Sequence, residues 1–235
     1  MREIIDPHTH VLPKMDDGSR GTVMSIEMLK RMKAMGITVV CGTSHYYRRD
    51  ESIGEFCERR SASFSRLKET MGEDLPRVIP GAEVAFYHGI SEDPELEYLC
   101  YEGTSTLLLE MPFTDWTASN VEEVKSLVLD RRLNVILAHP ERFCYSSSNK
   151  EYLLRLAKMD IYFQVNGENF TSLFANRDGV GILKMTPRLL LGSDAHNTEK
   201  RPPNLDAARS YVKRKLGAEA LDAIDEAGER LILGR

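Results

Sequence analysis

The hydrophobic positions along the chain form short apolar runs that are separated by amphipathic stretches. Seven runs have the length and composition of buried β-strands. They cover residues 3–6, 37–42, 78–81, 106–110, 134–138, 161–165 and 189–191. The stretches between them repeat apolar residues every three or four positions, which is typical of helices that pack on a sheet. This order predicts parallel βαβ units.

The clearest predicted helix covers residues 23–35, where methionines recur at a spacing of three or four and Gly36 supplies a stop. Further helices are predicted over residues 53–71, 120–132, 149–159, 205–216 and 219–228. Because strand and helix alternate throughout and no G-x-G-x-x-G turn is present, a closed barrel is favoured over a doubly wound sheet. The 235 residues fit one such barrel, so we expect residues 1–235 to form a single α/β domain.

Ionisable residues follow the predicted strands one after another. The first strand is followed by His8, His10, Asp16 and Asp17, the second by His45, the third by Glu83, the fourth by Glu110, the fifth by His139, and the seventh by Asp194 and His196. Groups at the same end of successive parallel strands converge on one pocket. Residues two apart in an extended segment face the same way, so each H-x-H or D-x-H pair directs two ligands inward. The pattern predicts a metal site that suits manganese, iron or zinc.

Each of these residues by itself has an ordinary explanation. The D-D-G segment alone is most often a turn, and Glu83 or Glu110 alone is more often a salt-bridged residue. The prediction rests on the recurrence, because buried charge without a partner or a metal is costly. The only polar residues at the end of the sixth strand are the uncharged Gln164 and Asn166. His88 does not directly follow a predicted strand, so we interpret it as a surface residue or an outer neighbour of the site.

Composition and motifs exclude several other classes. A net charge of −5 and the lack of a basic tract argue against a nucleic-acid partner. The cysteines Cys41, Cys57, Cys100 and Cys144 form no C-x-x-C pair and no Cys-x5-Arg loop, so we interpret them as free thiols. Without a G-x-S-x-G or P-loop motif, metal-activated water is the remaining nucleophile for hydrolysis. The apolar runs are too short for a transmembrane segment and residues 1–20 lack a signal sequence, so we expect a cytoplasmic location.

The same residues stand within a series of longer motifs. These are Ile5-Asp-Pro-His-Thr-His-Val-Leu-Pro13 with Asp16-Asp-Gly18, Thr43-Ser-His45, Pro80-Gly-Ala-Glu83, Leu109-Glu-Met-Pro-Phe113, Ala138-His-Pro-Glu-Arg142, Gln164-Val-Asn166 and Gly192-Ser-Asp-Ala-His-Asn197. The series resembles the polymerase and histidinol phosphatase (PHP) superfamily of metallophosphoesterases. Within it, the chain is similar to the manganese-dependent tyrosine phosphatases of bacterial capsule and exopolysaccharide operons. The resemblance covers residues 4 to about 205 and implies a distorted seven-stranded, TIM-like (β/α) barrel.

The resemblance also implies three divalent metal ions, with manganese expected and iron or zinc as alternatives. Their ligands would be His8, His10, Glu83 and Asp194 for the first, Glu83, Glu110 and His139 for the second, and Asp17, His45 and His196 for the third. Asp16 competes with Asp17 for the last carboxylate position. Three ions and four ionised carboxylates would leave about two positive charges, which suits a phosphate dianion.

The expected chemistry is attack of a metal-bridging hydroxide on phosphorus. The resemblance assigns Arg142 and Arg201 to the phosphoryl oxygens, and we count Glu110 with them among the catalytic residues. Glu141 is interpreted as a partner that orients a residue of the site without binding the metal. After the second strand, the loop of Tyr46, Tyr47, Arg48 and Arg49 either lines the entrance for a phosphotyrosine ring with acidic flanks or is an ordinary exposed loop.

The resemblance implies a phosphotyrosine-bearing protein as partner, namely the tail of a membrane-associated bacterial tyrosine kinase. Some similar proteins form rings, so a homo-oligomer is compatible with it. The main rival is a phosphatase of a small ester such as histidinol phosphate, which would share most ligands; Glu110 and the Asp-Asp-Gly carboxylate argue against it. A non-catalytic metal-binding domain would require a broken ligand set, and every ligand position is filled.

Overall fold

The protein is an assembly of parallel strands with helices between them, as the computed structural model of residues 2–172 and 174–235 describes it. The strands are β1 Ile5–Thr9, β2 Val39–Gly42, β3 His45–Tyr46, β4 Arg77–Pro80, β5 Glu83–Ala85, β6 Thr106–Glu110, β7 Asn134–Ala138, β8 Ile161–Asn166 and β9 Leu189–Gly192. The helices are α1 Thr22–Ala34, α2 Ile53–Thr70, α3 Ala118–Leu129, α4 Ser147–Leu156, α5 Arg177–Met185, α6 Leu205–Leu216 and α7 Ala218–Gly228. The predicted α/β class with parallel strands is confirmed.

The strands form two parallel sheets, in the orders β1-β2-β4 and β3-β5-β6-β7-β8-β9. The second and third predicted runs each continue, after a break of two residues, into the short strands β3 and β5. The break lets the chain pass from the first sheet to the second, while Glu83 still donates a backbone hydrogen bond of 3.0 Å to Ser44. His45 and Glu83 pair with each other in register, so both lie where the two sheets meet.

The first strand is also bonded to the segment that follows the last one. Thr9 forms a parallel bridge with Ala195. The backbone N–H of His10 donates to the carbonyl of Ala195 at 2.8 Å, and the N–H of Asp194 donates to the carbonyl of His8 at 2.8 Å. These bonds hold the His8-Thr-His10 segment beside the Asp194-Ala-His196 segment.

Side chains alternate between two packing environments along the strands. In β6 and β8, Leu107, Leu109, Phe163 and Val165 pack in the large cluster beneath the helices. The intervening positions form a smaller inner cluster, which contains Leu108, Ile136, Tyr162, Leu190, Leu231 and Ile232. Because facing alternates with a period of two, the residues that follow on the inner side are Glu110 in β6 and Gln164 in β8. The inner face is therefore apolar near the strand starts and polar near their ends.

The six helices expected from periodicity are all present, most with ends shifted by one to three residues. The sequence does not predict α5, since Gly179 and Gly181 lower its helix propensity. The Asn176 side chain caps it by accepting the N–H of Asp178. A Cβ atom at position 179 would lie 2.8 Å from Asn169, so glycine permits close packing here. Among the described residues, no helix is both long enough and apolar enough to cross a bilayer.

Candidate metal centre

The nine predicted ligands lie together near the carboxyl ends of the strands. Three groups have ligand atoms within 4.8 Å of one another: His8, His10, Glu83 and Asp194; His10, Asp17, His45 and His196; and His45, Glu83 and Glu110. The ninth, His139, has its Nε2 atom 2.7 Å from Glu83 Oε1 and 3.4 Å from Glu110 Oε1. His10 and His45 each belong to two groups, so the structure links the predicted sets through shared histidines as well as through Glu83.

The first group is completely buried around one carboxylate oxygen. Glu83 Oε2 lies 3.1 Å from His8 Nε2 and 3.2 Å from His10 Nε2, and these two nitrogens are 3.3 Å apart. Asp194 Oδ1 completes the group at 3.5 and 3.4 Å from the same nitrogens. The predicted convergence of His8 with His10 is thus present in the structure.

A chain of hydrogen bonds determines which nitrogen of His8 carries a proton. The charges of His8 and His10 hold the pKa of Asp194 well below its usual range even though burial opposes this, so its carboxylate only accepts. Asn166 Nδ2 must then donate to Asp194 Oδ2 (2.8 Å), and Gln164 Nε2 to Asn166 Oδ1 (2.8 Å). Gln164 therefore presents its Oε1 atom to His8 Nδ1, which donates to it at 2.7 Å.

His10 is oriented in the same way by an acidic neighbour. Its Nδ1 atom is 2.7 Å from Asp16 Oδ2. Although burial opposes it, the charge of His10 lowers the pKa of Asp16, so this carboxylate also accepts. In the neutral form of each ring, the Nε2 lone pair consequently points toward Glu83, where the facing lone pairs repel. A proton on the ring or a bound cation removes this repulsion, so the donor set fits a divalent metal ion that replaces the protons.

Gln164 and Asn166 are site residues whose role the sequence does not reveal. A usable signal exists, because Tyr162, Gln164 and Asn166 alternate along β8 and the first of them faces the inner cluster. Gly192 makes room for this arrangement, since a Cβ atom there would lie 2.6 Å from Gln164 Nε2. Amides in such positions orient ligands without binding the metal.

Glu141 stands behind this hydrogen-bond chain. Its Oε1 atom accepts from the backbone N–H of Asn166 at 3.0 Å and from Asn169 Nδ2 at 2.7 Å. Burial raises the pKa of Glu141 to about 7. Glu141 thus fixes the backbone at the end of β8, from which the Asn166 side chain donates to Asp194. Within the described part of the chain, His139 Nδ1 has no hydrogen-bond partner.

The group of His45, Glu83 and Glu110 places two carboxylates close together. Burial, and next the charge of Glu83, raise the pKa of Glu110 to about 7. Glu83 shows the opposite shift: the charges of His8 and His45 hold its pKa well below its usual range, although burial opposes this. Two neighbouring acids whose pKa values diverge in this way are typical of a site that takes up positive charge.

The group of His10, Asp17, His45 and His196 lies at the mouth of the site, where Asp17 is exposed. Asp17 Oδ1 is 3.4 Å from His196 Nε2 and 3.8 Å from His45 Nε2. Asp16 is occupied elsewhere, since its Oδ2 accepts from His10 Nδ1 and from the backbone of His45 at 2.9 Å. Of the two competing carboxylates, the geometry therefore favours Asp17 as a ligand. A Cβ atom at Gly18 would lie 2.3 Å from His10 Cβ, so this turn packs directly on the site.

Both predicted arginines contact the centre through Asp194. Asp194 Oδ2 lies 2.6 Å from Arg201 Nη2 and 2.9 Å from Arg142 Nη2. Arg201 also donates to His196 Nε2 at 2.7 Å, and Arg142 pairs with Glu168 at 3.0 Å. A cavity of about 650 Å³ opens beside Arg201 and is lined in part by Lys200 and Phe174.

The backbone is strained at two of the ligands. His139 has a φ angle of 31° and Asp194 one of 51°, in the left-handed region that non-glycine residues rarely occupy. His139 in addition precedes a proline, which restricts its backbone further. Such outliers cluster at functional sites because the surrounding structure must impose them.

Residues 46–49, for which the sequence suggested an entrance or an exposed loop, line the mouth of the site only in part. Tyr46 is fully buried and packs edge-on against Phe56, so it does not line an entrance as predicted. Its side chain alternates to the opposite face from His45, which is the physical reason. Tyr47 does lie at the mouth, where its ring stacks on His45 at a centroid distance of 5.3 Å. His88 is exposed beside Glu123, as expected of a surface residue.

Comparison with known sequences relates the chain to one protein family. The model of the family described as "Capsular polysaccharide synthesis, CpsB/CapC" matches residues 4–232. The tyrosine-protein phosphatase YwqE of Bacillus subtilis is 28% identical over 237 residues, which cover 97% of this chain and 91% of the relative. The tyrosine-protein phosphatase CpsB of Streptococcus pneumoniae is 24% identical, with 92% of each chain covered.

Solved structures give the same result. A structure from a study of YwqE from B. subtilis and CpsB from S. pneumoniae, described there as metal-dependent tyrosine phosphatases, superposes with a TM-score of 0.82 at 25% identity. The match covers 99% of this chain and 95% of that one. An amidohydrolase from Bifidobacterium longum shares the fold at a TM-score of 0.59 and 14% identity. The chain belongs to the CpsB/CapC family of capsular polysaccharide synthesis.

Proposed function

We propose that this protein is a metal-dependent protein-tyrosine phosphatase. The observation that carries the proposal is the convergence of His8 Nε2 and His10 Nε2 on Glu83 Oε2, with the outer nitrogen of each ring already engaged by Gln164 or Asp16. This arrangement suits a cation. The activity and metal dependence that are stated for the relatives supply the reaction class.

Three divalent ions are part of the proposal, with manganese preferred and iron or zinc as alternatives. The ligand sets are His8, His10, Glu83 and Asp194; Glu83, Glu110 and His139; and Asp17, His45 and His196. The group of His8, His10, Glu83 and Asp194 coincides with the first set, and the group of His10, Asp17, His45 and His196 contains the third. Glu83 and Glu110 group with His45, and His139 Nε2 lies 2.7 and 3.4 Å from these two carboxylates. Glu83 is the shared ligand, because its Oε2 atom faces the first group and its Oε1 atom faces His139.

Bound ions would supply Lewis acidity and would lower the pKa of the water that attacks phosphorus. The guanidinium groups of Arg142 and Arg201 would bind the phosphoryl oxygens. Both contact Asp194 Oδ2, so they lie side by side at the centre. Arg201 donates to His196 Nε2, the nitrogen that the proposal assigns to a metal. That hydrogen bond and a metal bond exclude one another, so metal binding would free Arg201 for the substrate.

Several finer features belong to the same proposal. We infer that the two sheets are parts of one distorted (β/α)7 barrel of the PHP type, since the Thr9–Ala195 bridge joins β1 to the end of β9. The family model spans residues 4–232, which supports a single catalytic domain. The substrate would be a phosphotyrosine-bearing protein, with the tail of a bacterial tyrosine kinase as the expected partner and a cytoplasmic site of action.

The test measures phosphate release by metal-stripped protein, with and without added Mn²⁺. Three substrates are compared: a phosphotyrosine peptide, a phosphoserine peptide of the same sequence, and histidinol phosphate. His139→Ala serves as the inactive control, and its fold is checked by circular dichroism. We expect Mn²⁺-dependent turnover of the phosphotyrosine peptide above the other two substrates, and loss of it in the control. Preference for histidinol phosphate would move the protein to the rival function, and metal-independent turnover would overturn the proposal.

A further inference from the structure

A small cavity of about 220 Å³ opens next to the candidate metal centre and shares no lining residue with the cavity beside Arg201. Its walls are the partly buried rings of Tyr47, Phe86 and Tyr87, and Ala85 forms part of its floor. Arg48 and Arg49 stand at its rim, 3.6 Å from Asp93 and 3.3 Å from Asp50. The cavity therefore combines aromatic walls with a rim of ion pairs.

Both main walls are attached to residues of the metal centre. The Tyr47 ring stacks on the ring of His45, whose Nδ1 atom is 3.0 Å from Glu83. On the other side, the backbone N–H of Phe86 donates to the carbonyl of Glu110 at 2.8 Å. Ala85 pairs with Glu110 in register. A group held between these walls would lie directly beside the ligand cluster.

The chemistry of a phosphotyrosine ester requires such a place. Its phosphoryl group is bonded to the phenol oxygen, so a phosphoryl group at the metal centre leaves the ring immediately outside it. An apolar protein cavity of about 150 Å³ accommodates a benzene ring, so a cavity of about 220 Å³ has room for a phenyl ring. Aromatic rings also gain from offset or edge-on contact with other rings.

We propose that the cavity between Tyr47 and Phe86 is the subsite for the aromatic ring of the substrate, and that it selects phosphotyrosine over alkyl phosphates. The inference rests on the proposed phosphatase function and deepens it. Arg49 lies 5.4 Å from the centroid of the Tyr47 ring, which stiffens this wall.

The cavity beside Arg201 is the competing location for the ring. It is larger, at about 650 Å³, and has the single aromatic residue Phe174, whose side chain is 86% exposed. Its other lining groups are mainly polar or charged, Lys200 and Glu168 among them. One exposed ring offers no opposing wall, so this cavity fits a peptide backbone with polar side chains better than a phenyl group.

The experiment compares Tyr47→Ala, Tyr47→Phe and Phe86→Ala with the wild-type, Mn²⁺-loaded enzyme. Substrates are a phosphotyrosine peptide and a phosphoserine peptide with identical flanks. Each alanine variant should raise KM for the phosphotyrosine peptide by about tenfold with kcat little changed, and should leave kcat/KM for phosphoserine within about twofold. Tyr47→Phe should behave like the wild type, because it keeps the ring. Tyr98→Ala, an exposed tyrosine outside the lining of both cavities, is the matched control.

Mn²⁺ binding of every variant is measured by calorimetry, since Tyr47 touches His45. If Tyr47→Ala loses metal, Phe86→Ala decides, because the hydrogen bond from Phe86 to Glu110 is made by the backbone and is kept by alanine. An unchanged KM in Phe86→Ala would overturn the subsite, as would a raised KM in Phe174→Ala alone. A wild-type enzyme that does not hydrolyse the phosphotyrosine peptide at all would instead overturn the proposed function.

Discussion

Gln164 Oε1 accepts a hydrogen bond of 2.7 Å from His8 Nδ1, and this contact leaves the Nε2 atom of His8 as the nitrogen that can bind a cation. The two residues are 156 positions apart in the chain and both are completely buried. The orientation of the amide is itself set by Asn166 and, through it, by Asp194. The orientation of the predicted ligand His8 therefore depends on a residue outside the predicted ligand set.

Replacing Gln164 by leucine should weaken the affinity for Mn²⁺ by about 10- to 100-fold, because His8 loses the acceptor that fixes its tautomer. Gln164→Glu keeps an acceptor at this position and should retain more of the affinity. Isothermal titration calorimetry on metal-stripped protein measures both. Equal affinity in Gln164→Leu and the wild type would show that the hydrogen bond has no part in metal binding.

Substitution by asparagine should affect stability at Asp16 and metal binding at the neighbouring Asp17. Asp16 is buried and accepts from His10 and from the backbone of His45, so Asp16→Asn should lower the free energy of unfolding of the metal-free protein by about 2 kcal/mol. Asp17 is exposed and lacks such bonds, so Asp17→Asn should leave unfolding unchanged and reduce the number of bound ions. Urea denaturation and metal analysis separate the two; a destabilised Asp17→Asn would contradict this assignment.

Metal binding should release protons near neutral pH. Although burial opposes it, the charges of Glu83, Asp194 and Asp16 raise the pKa values of His8 and His10, so in the metal-free site both rings keep their protons to a higher pH than a free imidazole does. A metal binds the neutral ring, and its affinity should therefore fall as the pH is lowered and the rings gain protons. Calorimetric titrations at one pH, in buffers with different ionisation enthalpies, count the protons. Identical apparent enthalpies in all buffers would argue against proton release.

Glu110 should destabilise the metal-free fold at alkaline pH. Its pKa is raised to about 7 by burial and by Glu83, so the protonated form is favoured in the folded state. This contribution to stability is present below the ordinary pKa of a glutamate and is lost as the pH rises through 7. Glu110→Gln should thus raise the free energy of unfolding at pH 8 by on the order of 1–3 kcal/mol and have little effect at pH 4.

The same substitution should reduce metal binding, since Glu110 is an assigned ligand. Denaturation of metal-free wild type and variant at the two pH values tests the stability effect. Glu122→Gln, an exposed glutamate on α3, is the control and should show no pH-dependent difference. A variant that is less stable than the wild type at pH 8 would contradict the assigned protonation.

Local sequence patterns were sufficient for most of the elements and for the order of the predicted ligands. Apolar periodicity depends on near neighbours, so the ranges of β6 and β7 and of α6 agree with the predicted ones. The pairing of His8 with His10 follows from the two-residue repeat of an extended segment in the same way. The prediction missed α5, because its two glycines obscure a helix that the Asn176 cap and contacts with Asn169 stabilise.

The sequence by itself therefore determined an α/β chain in which the predicted metal ligands recur after successive strands. Only the tertiary structure decided which of Asp16 and Asp17 faces the ligand cluster, that Tyr46 is buried while Tyr47 stands at the mouth, and that Gln164 and Asn166 orient His8 and Asp194. The physical reason is distance along the chain. A hydrogen bond between residues 156 positions apart leaves no trace in local periodicity, because its partners become neighbours only when the strands assemble.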